Sequence, residues 1–374
     1  MKFNKLFLIA LFSSLFFVSC DPEEDTPPFY TSKGNYDSGV LVLNEGTTNM
    51  ASISYISFDL SKTENDIFAN ANNNAILGTV AQSIGFYNDL AYIVVNVSNK
   101  IEIVNRYTLK RIKTIDSSLT NPRYIEFYNG KGYVTCWGLG SASDDDYVAV
   151  INLNTNEVVK NIPVVEGPEH IVQYNGKLYV SHAGGWNQND KVSIINSATD
   201  VIEGTPIVVG DIPNELIVKD DYLWVFCAGN PSYANGGETP AKIVKMKLSD
   251  NSTTIFRAFS NSTYSTNMAF FGSYIYYTFN NIIYKEILFQ TDPVIAVKSL
   301  SPSIDNIYSM AVKNNYIYVG GYANGEFDSN GTVKVFANGD ITETDGSGNL
   351  ILPFGKLMKT TSVGIGPNGF YFNQ

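Results

Sequence analysis

The residues able to do chemistry are few. Two histidines, His170 and His182, and three cysteines, Cys20, Cys136 and Cys227, are the only imidazoles and thiols in 374 residues. A structural zinc site needs about four such ligands converging, so a zinc cluster is excluded on arithmetic, and so is a disulfide scaffold. Acid–base catalysis would need carboxylates and an imidazole at one place. Glu169, His170 and Glu215 are the one trio whose positions allow it. Asp144-Asp145-Asp146 has the acidity of half a calcium loop but lacks the central Gly and distal Glu. It is expected to be a solvated loop tip. Gly184-Gly185 and Gly236-Gly237 precede no helix, so no phosphate cradle is expected. No nucleophile elbow, Walker A loop or His-Glu-x-x-His spacing occurs. No metal and no cofactor are expected. What remains abundant is aromatic and amide chemistry, with 24 Tyr and 22 Phe.

These residues recur in register. An apolar lead-in runs to a turn, often Asn-Gly, then to a short strand centred on an aromatic, a variable loop, a Val/Ile strand and a last strand. In one copy the pieces are Glu169 to Tyr174, Asn175-Gly176, Lys177 to Val180, Lys191 to Asn196 and Val201 to Val209. The central slot falls at Val42, Tyr92, Tyr133, Tyr179, Trp224, Tyr276, Tyr318 and Tyr371, separated by 50, 41, 46, 45, 52, 42 and 53 residues. A period of about 40–50 residues with four strands per unit is the signature of β-propeller blades. A two-domain β-sandwich predicts no such period. The first copy lacks its opening segment and the last supplies one, from Ser362 to Phe372. The expected fold is therefore all-β, a seven-bladed β-propeller over residues 39–374 closed by a composite blade from both termini, with eight blades as the alternative.

Antiparallel order places the lead-in to strand one and the loop from strand two to three on one face. The loops there are long: 138–147, 183–190, 228–239 and 320–331. The opposite-face turns, such as Asn154-Thr155-Asn156, are short. Long loops on a rigid scaffold are where function collects. The candidate ligand-binding residues are Gln82, Asn121, Arg123, Glu169, His170, Asn214, Glu215, Asn267 and Asn306 from the lead-ins. Trp137, Trp186, Tyr233 and Tyr322 come from the loops, and His182 from the top of a second strand. Rings and amides suit a flat ligand with amide substituents. Cys136 and Cys227 occupy equivalent positions in non-adjacent blades, too far apart to bridge. Two free, buried thiols are expected.

The chain carries 25 Lys+Arg against 36 Asp+Glu, a formal charge of −11. Such a surface repels phosphate backbones, so nucleic-acid binding is not expected. At the N-terminus, Lys2 and Lys5 precede the apolar run Leu6 to Val18, too short to span a bilayer, and Phe17-Val18-Ser19-Cys20 follows. This resembles a bacterial lipobox. The resemblance implies a signal peptide over 1–19, cleavage before Cys20, and lipidation of Cys20. Residues 20–38, with Asp21 to Pro28 rich in acids and prolines, read as a disordered tether. An acidic run after a lipidated Cys also resembles a surface-export signal. The localisation implied is the outer membrane, held by a lipid anchor only and exposed at the surface.

The repeat Pro-x-x-Ile-x-x-x-Asn-Gly-Lys-Leu-Tyr-Val, strongest at Pro168 to Val180 and Pro122 to Val134, resembles that of YncE-like (YVTN-type) propellers. The opening Val40-Leu41-Val42-Leu43-Asn44-Glu45-Gly46, with Ser52 to Tyr55, resembles a narrower group, the BtuG-type surface lipoproteins. That resemblance implies non-catalytic capture of a corrinoid (vitamin B12) and its transfer to a TonB-dependent outer-membrane transporter. The residue reading leaves two alternatives open. One is a surface propeller for a glycan, peptide or partner protein, with Trp137, Trp186 and Asp144 to Asp146 as a sugar site. The other is a lactonase- or lyase-like enzyme built on His170 and Glu169.

Overall fold

The computed structural model describes residues 32–140, 142–288, 297–322, 327–339, 344 and 352–373. The readings on residues 1–31, Cys20 among them, lie outside these. The regular secondary structure of the described residues is all strand but for one short helix at Ile67–Ala71. Seven small antiparallel sheets form in chain order, so of the two readings the sequence left open the ring has seven blades.

Blade 1 is composite. Its innermost strand is the C-terminal Pro367–Asn373, paired to Gly39–Asn44, then Ser52–Ser57 and Thr63–Glu64. Blades 2 to 7 start at Ala81–Tyr87, Pro122–Tyr128, Pro168–Tyr174, Pro213–Lys219, Met268–Phe271 and Asn306–Lys313. In each blade three further strands step outward, and blade 4 splits its outer edge into Val201–Ile202 and Ile207–Val208. The ring closes at Asn373. Its buried amide donates to the carbonyls of Tyr36 (2.7 Å) and Arg106 (2.6 Å), and its oxygen accepts from Arg106 Nε (2.5 Å). Closure leaves the innermost strands no free edge.

The core is not one mass. It falls into seven apolar clusters, and each spans two neighbouring blades. The cluster of Val40, Val42, Tyr318 and Val335 joins blade 7 to blade 1. The aromatic slot forms these interfaces: Tyr92, Tyr133, Tyr179, Tyr276 and Tyr318 are fully buried on second strands. Burying a ring of this size contributes about 1.5–3 kcal/mol. Two hydroxyls also tie blades together, Tyr92 to Asn156 Oδ1 and Tyr133 to Asp200 Oδ1, both at 2.8 Å.

Two ends of the sequence pattern are corrected. Leu41, not Val42, fills the slot of blade 1, since Leu41 pairs with Tyr371 as Tyr92 pairs with Gly85. Tyr371 lies on the innermost strand, so it counts no eighth blade. The packed body also begins before Gly39. Tyr36 is buried, and its hydroxyl donates to Glu64 at 2.8 Å. Lower-face turns are short in blades 2 to 5, but in blade 7 strands three and four are separated by 338–356. Cys136 and Cys227 are free and buried, as expected. Burial pushes both thiols up to about 12, which keeps them protonated and inert.

Candidate functional site

One local device builds the site. In six blades the innermost strand begins with a β-bulge. In blade 3, Pro122 pairs Cys136 and Ile125 pairs Val134, so Arg123 and Tyr124 together oppose Thr135. Blade 4 repeats this with Glu169 and His170 opposite Ser181. The unpaired extra residue is Gln82 in blade 2, Asn214 in blade 5, Tyr308 in blade 7 and Asn368 in blade 1. A bulge re-aims side chains, and every one of these residues lines a central cavity of about 490 Å³.

The sequence encodes the bulge locally. Proline suits a first strand residue because its missing N–H is not needed there. The preceding residue turns left-handed: Asn121 (φ 48°), Gly167 (φ 71°), Ile212 (φ 52°) and Gly366 (φ 60°). At Gly167 a Cβ would also collide with the backbone of Gly184. Ile212 is β-branched, so its backbone is strained there. Hydroxyls hold the bulges. Thr135 Oγ1 accepts from Tyr124 N (3.0 Å) and donates to Glu169 O of the next blade (2.7 Å), and Ser181 Oγ accepts from His170 N (3.1 Å) and donates to Asn214 O (3.0 Å).

The charges of the cavity concentrate on blades 3 to 5. Arg123 donates to both oxygens of Glu169, Nη2 to Oε1 at 2.7 Å and Nε to Oε2 at 2.8 Å. Its guanidinium lies 3.9 Å from the centre of the Trp137 ring. His170 stacks on Tyr124 with ring centres 3.7 Å apart. Burial, then the positive Arg123, pull the His170 imidazole down to about 3, so it is neutral at physiological pH. Burial pushes the Glu215 carboxyl up to about 8. His170 Nδ1 and Glu215 Oε1 are 3.7 Å apart, too far for a hydrogen bond. With the imidazole neutral and the carboxyl mostly protonated near pH 7, proximity alone does not make them an ion pair.

A second cavity of about 370 Å³ opens toward the rim on the loop face and shares Arg123, Glu169 and Asn214 with the first. Trp137, Trp186 and Tyr233 line it, and the last two are 71% and 76% exposed. The two cavities adjoin across Arg123, Glu169 and Asn214, which line both.

The candidate residues therefore divide. Gln82, Arg123, Glu169, His170, Asn214, Glu215 and Asn267 meet in the central cavity, and Trp137, Trp186 and Tyr233 in the adjoining one. Four others line neither. Asn121 precedes Pro122 and holds its loop through Gly138 O (2.8 Å). His182 is fully buried, its Nε2 2.8 Å from Ser193 Oγ, and burial lowers its imidazole to about 4. Asn306 pairs with Tyr322 and lies two residues before the bulge residue, Tyr308. Tyr322 touches the cavity only through Tyr308, edge to face at 5.8 Å. The acidic loop is only in part a solvated tip: Asp144 is exposed, but Asp146 is 2% exposed and accepts from Gly167 N at 3.1 Å.

Tyr124, Tyr308, Asn368 and Glu45 are not among the residues the sequence pointed to. Tyr124 reads in sequence as one more strand aromatic, and only the bulge that sets it beside Arg123 opposite Thr135 turns it to the cavity. Asn368 belongs to a strand whose blade the sequence closes across the termini. Glu45, in the Leu-Asn-Glu-Gly opening, accepts the hydroxyl of Tyr308 across 263 residues, and no local signal joins them. Burial raises the Glu45 carboxyl against that bond. Among the described residues no three His, Cys, Asp or Glu side chains form a metal set, and no helix is long and apolar enough to cross a membrane.

These features define a seven-bladed β-propeller with a funnel on its loop face. The chain belongs to the family described as a domain of unknown function, DUF5074, which matches residues 38–319. No curated protein matches it. Among solved structures it is similar to a hypothetical selenium-binding protein from Sulfolobus tokodaii, with a TM-score of 0.62, 9% identity, and 91% of this chain and 94% of that chain covered. A chain of Kuenenia stuttgartiensis hydrazine synthase gives a TM-score of 0.57 and 14% identity, over 82% and 99% of the two chains. The extracellular domain of a B. thetaiotaomicron one component system gives 0.50 and 13%, over 76% and 39%. At such identities the likeness is one of fold.

Proposed function

We propose that this protein is a non-catalytic, lipid-anchored surface propeller that captures a large amide-bearing ligand, a corrinoid, and passes it to an outer-membrane transporter. The observation that carries the reading is the pair of adjoining cavities that share Arg123, Glu169 and Asn214. Exposed Trp186 and Tyr233 line one cavity beside amides and the Arg123–Glu169 pair, and the other cavity lies at the propeller axis among the innermost strands. A flat macrocycle has room to lie on such rings, its amides meeting Gln82, Asn214 and Asn368. The bulges are pinned by hydroxyls, so little ordering is needed on binding. The BtuG-type resemblance at Leu43 to Gly46 supports the same reading, since Glu45 of that motif reaches the funnel wall through Tyr308. Binding is favoured over turnover because a base of pKa about 3 at His170 is poorly matched to neutral pH.

Isothermal titration with cyanocobalamin tests this. Saturable heat and a pink colour retained through gel filtration are expected, and neither appearing sinks the reading. For the anchor, Cys20→Ala is expected to move the protein out of the membrane fraction; unchanged fractionation would remove that part.

A further inference from the structure

The side chains around the funnel divide unevenly into donors and acceptors. The amide and guanidinium donors are mostly engaged by the protein itself, which leaves the one N–H of the neutral His170 ring and the Tyr124 hydroxyl proton as the remaining side-chain donors beside Glu215. Arg123 gives its guanidinium to Glu169. Asn368 Nδ2 donates to the carbonyls of Ala81 (2.8 Å) and Gln82 (3.3 Å), Gln82 Nε2 to Tyr124 (3.2 Å), and Asn267 Nδ2 to Ser265 Oγ (2.6 Å). The Tyr308 hydroxyl donates to Glu45. The acceptors are left over. Asn368 Oδ1 is buried without a partner, and the two carbonyls facing its nitrogen fix which end is which. Among the described residues Glu215 accepts no hydrogen bond, and its Oε1 stands 3.7 Å from His170 Nδ1. Asn214 adds one amide with both capacities.

We propose that the funnel floor is an acceptor subsite for a nitrogen-borne donor of the ligand, a primary amide or an ammonium, with Glu215 as its specificity-determining residue. The proposal rests on reading the funnel as a ligand site and adds the chemistry of the group that reaches its floor. A ligand carboxylate or phosphate would meet Glu215 and Glu169 with no free cation to offset them. An N–H donor meets unused acceptors, and an ammonium also gains from the aromatic rings of Tyr308, Phe370 and Tyr371 in the same lining.

The titratable groups facing Glu215 are His170, Tyr124 and Tyr371, with the Arg123–Glu169 and Glu45–Tyr308 pairs beyond. Of these His170 stays neutral, and burial first of all raises both tyrosines. Glu215 is therefore the group that ionises near pH 8. Binding an ammonium displaces its proton, so affinity rises with pH up to that value.

The test is isothermal titration of the purified protein with spermidine and with cyanocobalamin, below and above pH 8, using wild type, Glu215→Gln and Glu215→Ala. Thermal melts check that both variants fold. Spermidine is expected to bind about tenfold more tightly on the alkaline side, and to lose that gain in both variants. Cyanocobalamin is expected to tolerate Gln, whose oxygen still accepts, and to weaken about tenfold in Ala. Cyanocobalamin bound equally by all three proteins overturns the subsite and leaves the corrinoid reading intact. Spermidine bound through Glu215 without cyanocobalamin does the reverse. Silence of folded wild type toward both probes overturns both.

Discussion

Blade 4 begins its innermost strand at Pro168 and carries Glu169 and His170 as extra residues opposite Ser181. The innermost strand of blade 6 begins at Met268, ends at Phe271 and pairs without a bulge. Its lead-in has no proline, and its polar side chains bond to one another: Asn267 to Ser265 Oγ at 2.6 Å, and Ser265 Oγ to Thr278 Oγ1 at 3.1 Å. Both blades share the strand order and the buried tyrosine. What differs is three residues at the mouth of the channel. The bulge converts a structural repeat into a binding wall, and a blade without it supplies a neutral, self-satisfied one.

The comparison breaks most sharply at the buried pair. Glu169→Ala leaves Arg123 buried without its partner and is expected to cost about 3–5 kcal/mol of stability by urea unfolding. A cost like that of the blade 6 change given below would end the distinction between the two walls. The second way concerns pH. Glu215 has a folded value of about 8, above its ordinary 4.5. Its contribution is full below pH 4.5 and is lost as pH rises toward 8. His170, lowered from 6.5 to about 3, acts oppositely: its contribution is full above pH 6.5 and is lost as pH falls toward 3. Between pH 6.5 and 8 only the Glu215 slope remains, so wild-type stability is expected to decline there and Glu215→Gln to flatten the curve. A wild-type melt profile flat across that window contradicts it.

The exposed rings sharpen the contrast from outside. Trp186→Ala is expected to leave the melting point nearly unchanged, within about 0.5 kcal/mol, while weakening ligand binding by about 2 kcal/mol. Equal effects on both would make Trp186 structural. The smallest effect belongs to blade 6. Asn267→Ala is expected to cost about 1 kcal/mol and to leave corrinoid affinity near wild type in the same titration.

Much of the site was legible because the bulge is local. Gln82, Arg123, Glu169, His170, Asn214 and Glu215 follow a Pro- or Ala-led lead-in, and antiparallel order alone puts that position on the axis. The misses share a cause. Asn121 and Asn306 each sit two residues before the bulge, and a bulge cannot be counted to the residue without its partner strand. His182 alternates away from the solvent face, and polarity in sequence does not tell a buried hydroxyl partner from a ligand. Tyr371 repeats the aromatic spacing but takes the innermost place, because the other half of its blade lies some 330 residues earlier.

By itself the sequence determined the period, the strand order within each blade and the face that carries the loops, since all of these follow from contacts between residues close in the chain. Only the tertiary structure decided which residues share the funnel, how Arg123 is occupied by Glu169 and how Tyr308 meets Glu45. Those pairs come from different blades, and their geometry is set by ring closure and by the burial that closure imposes.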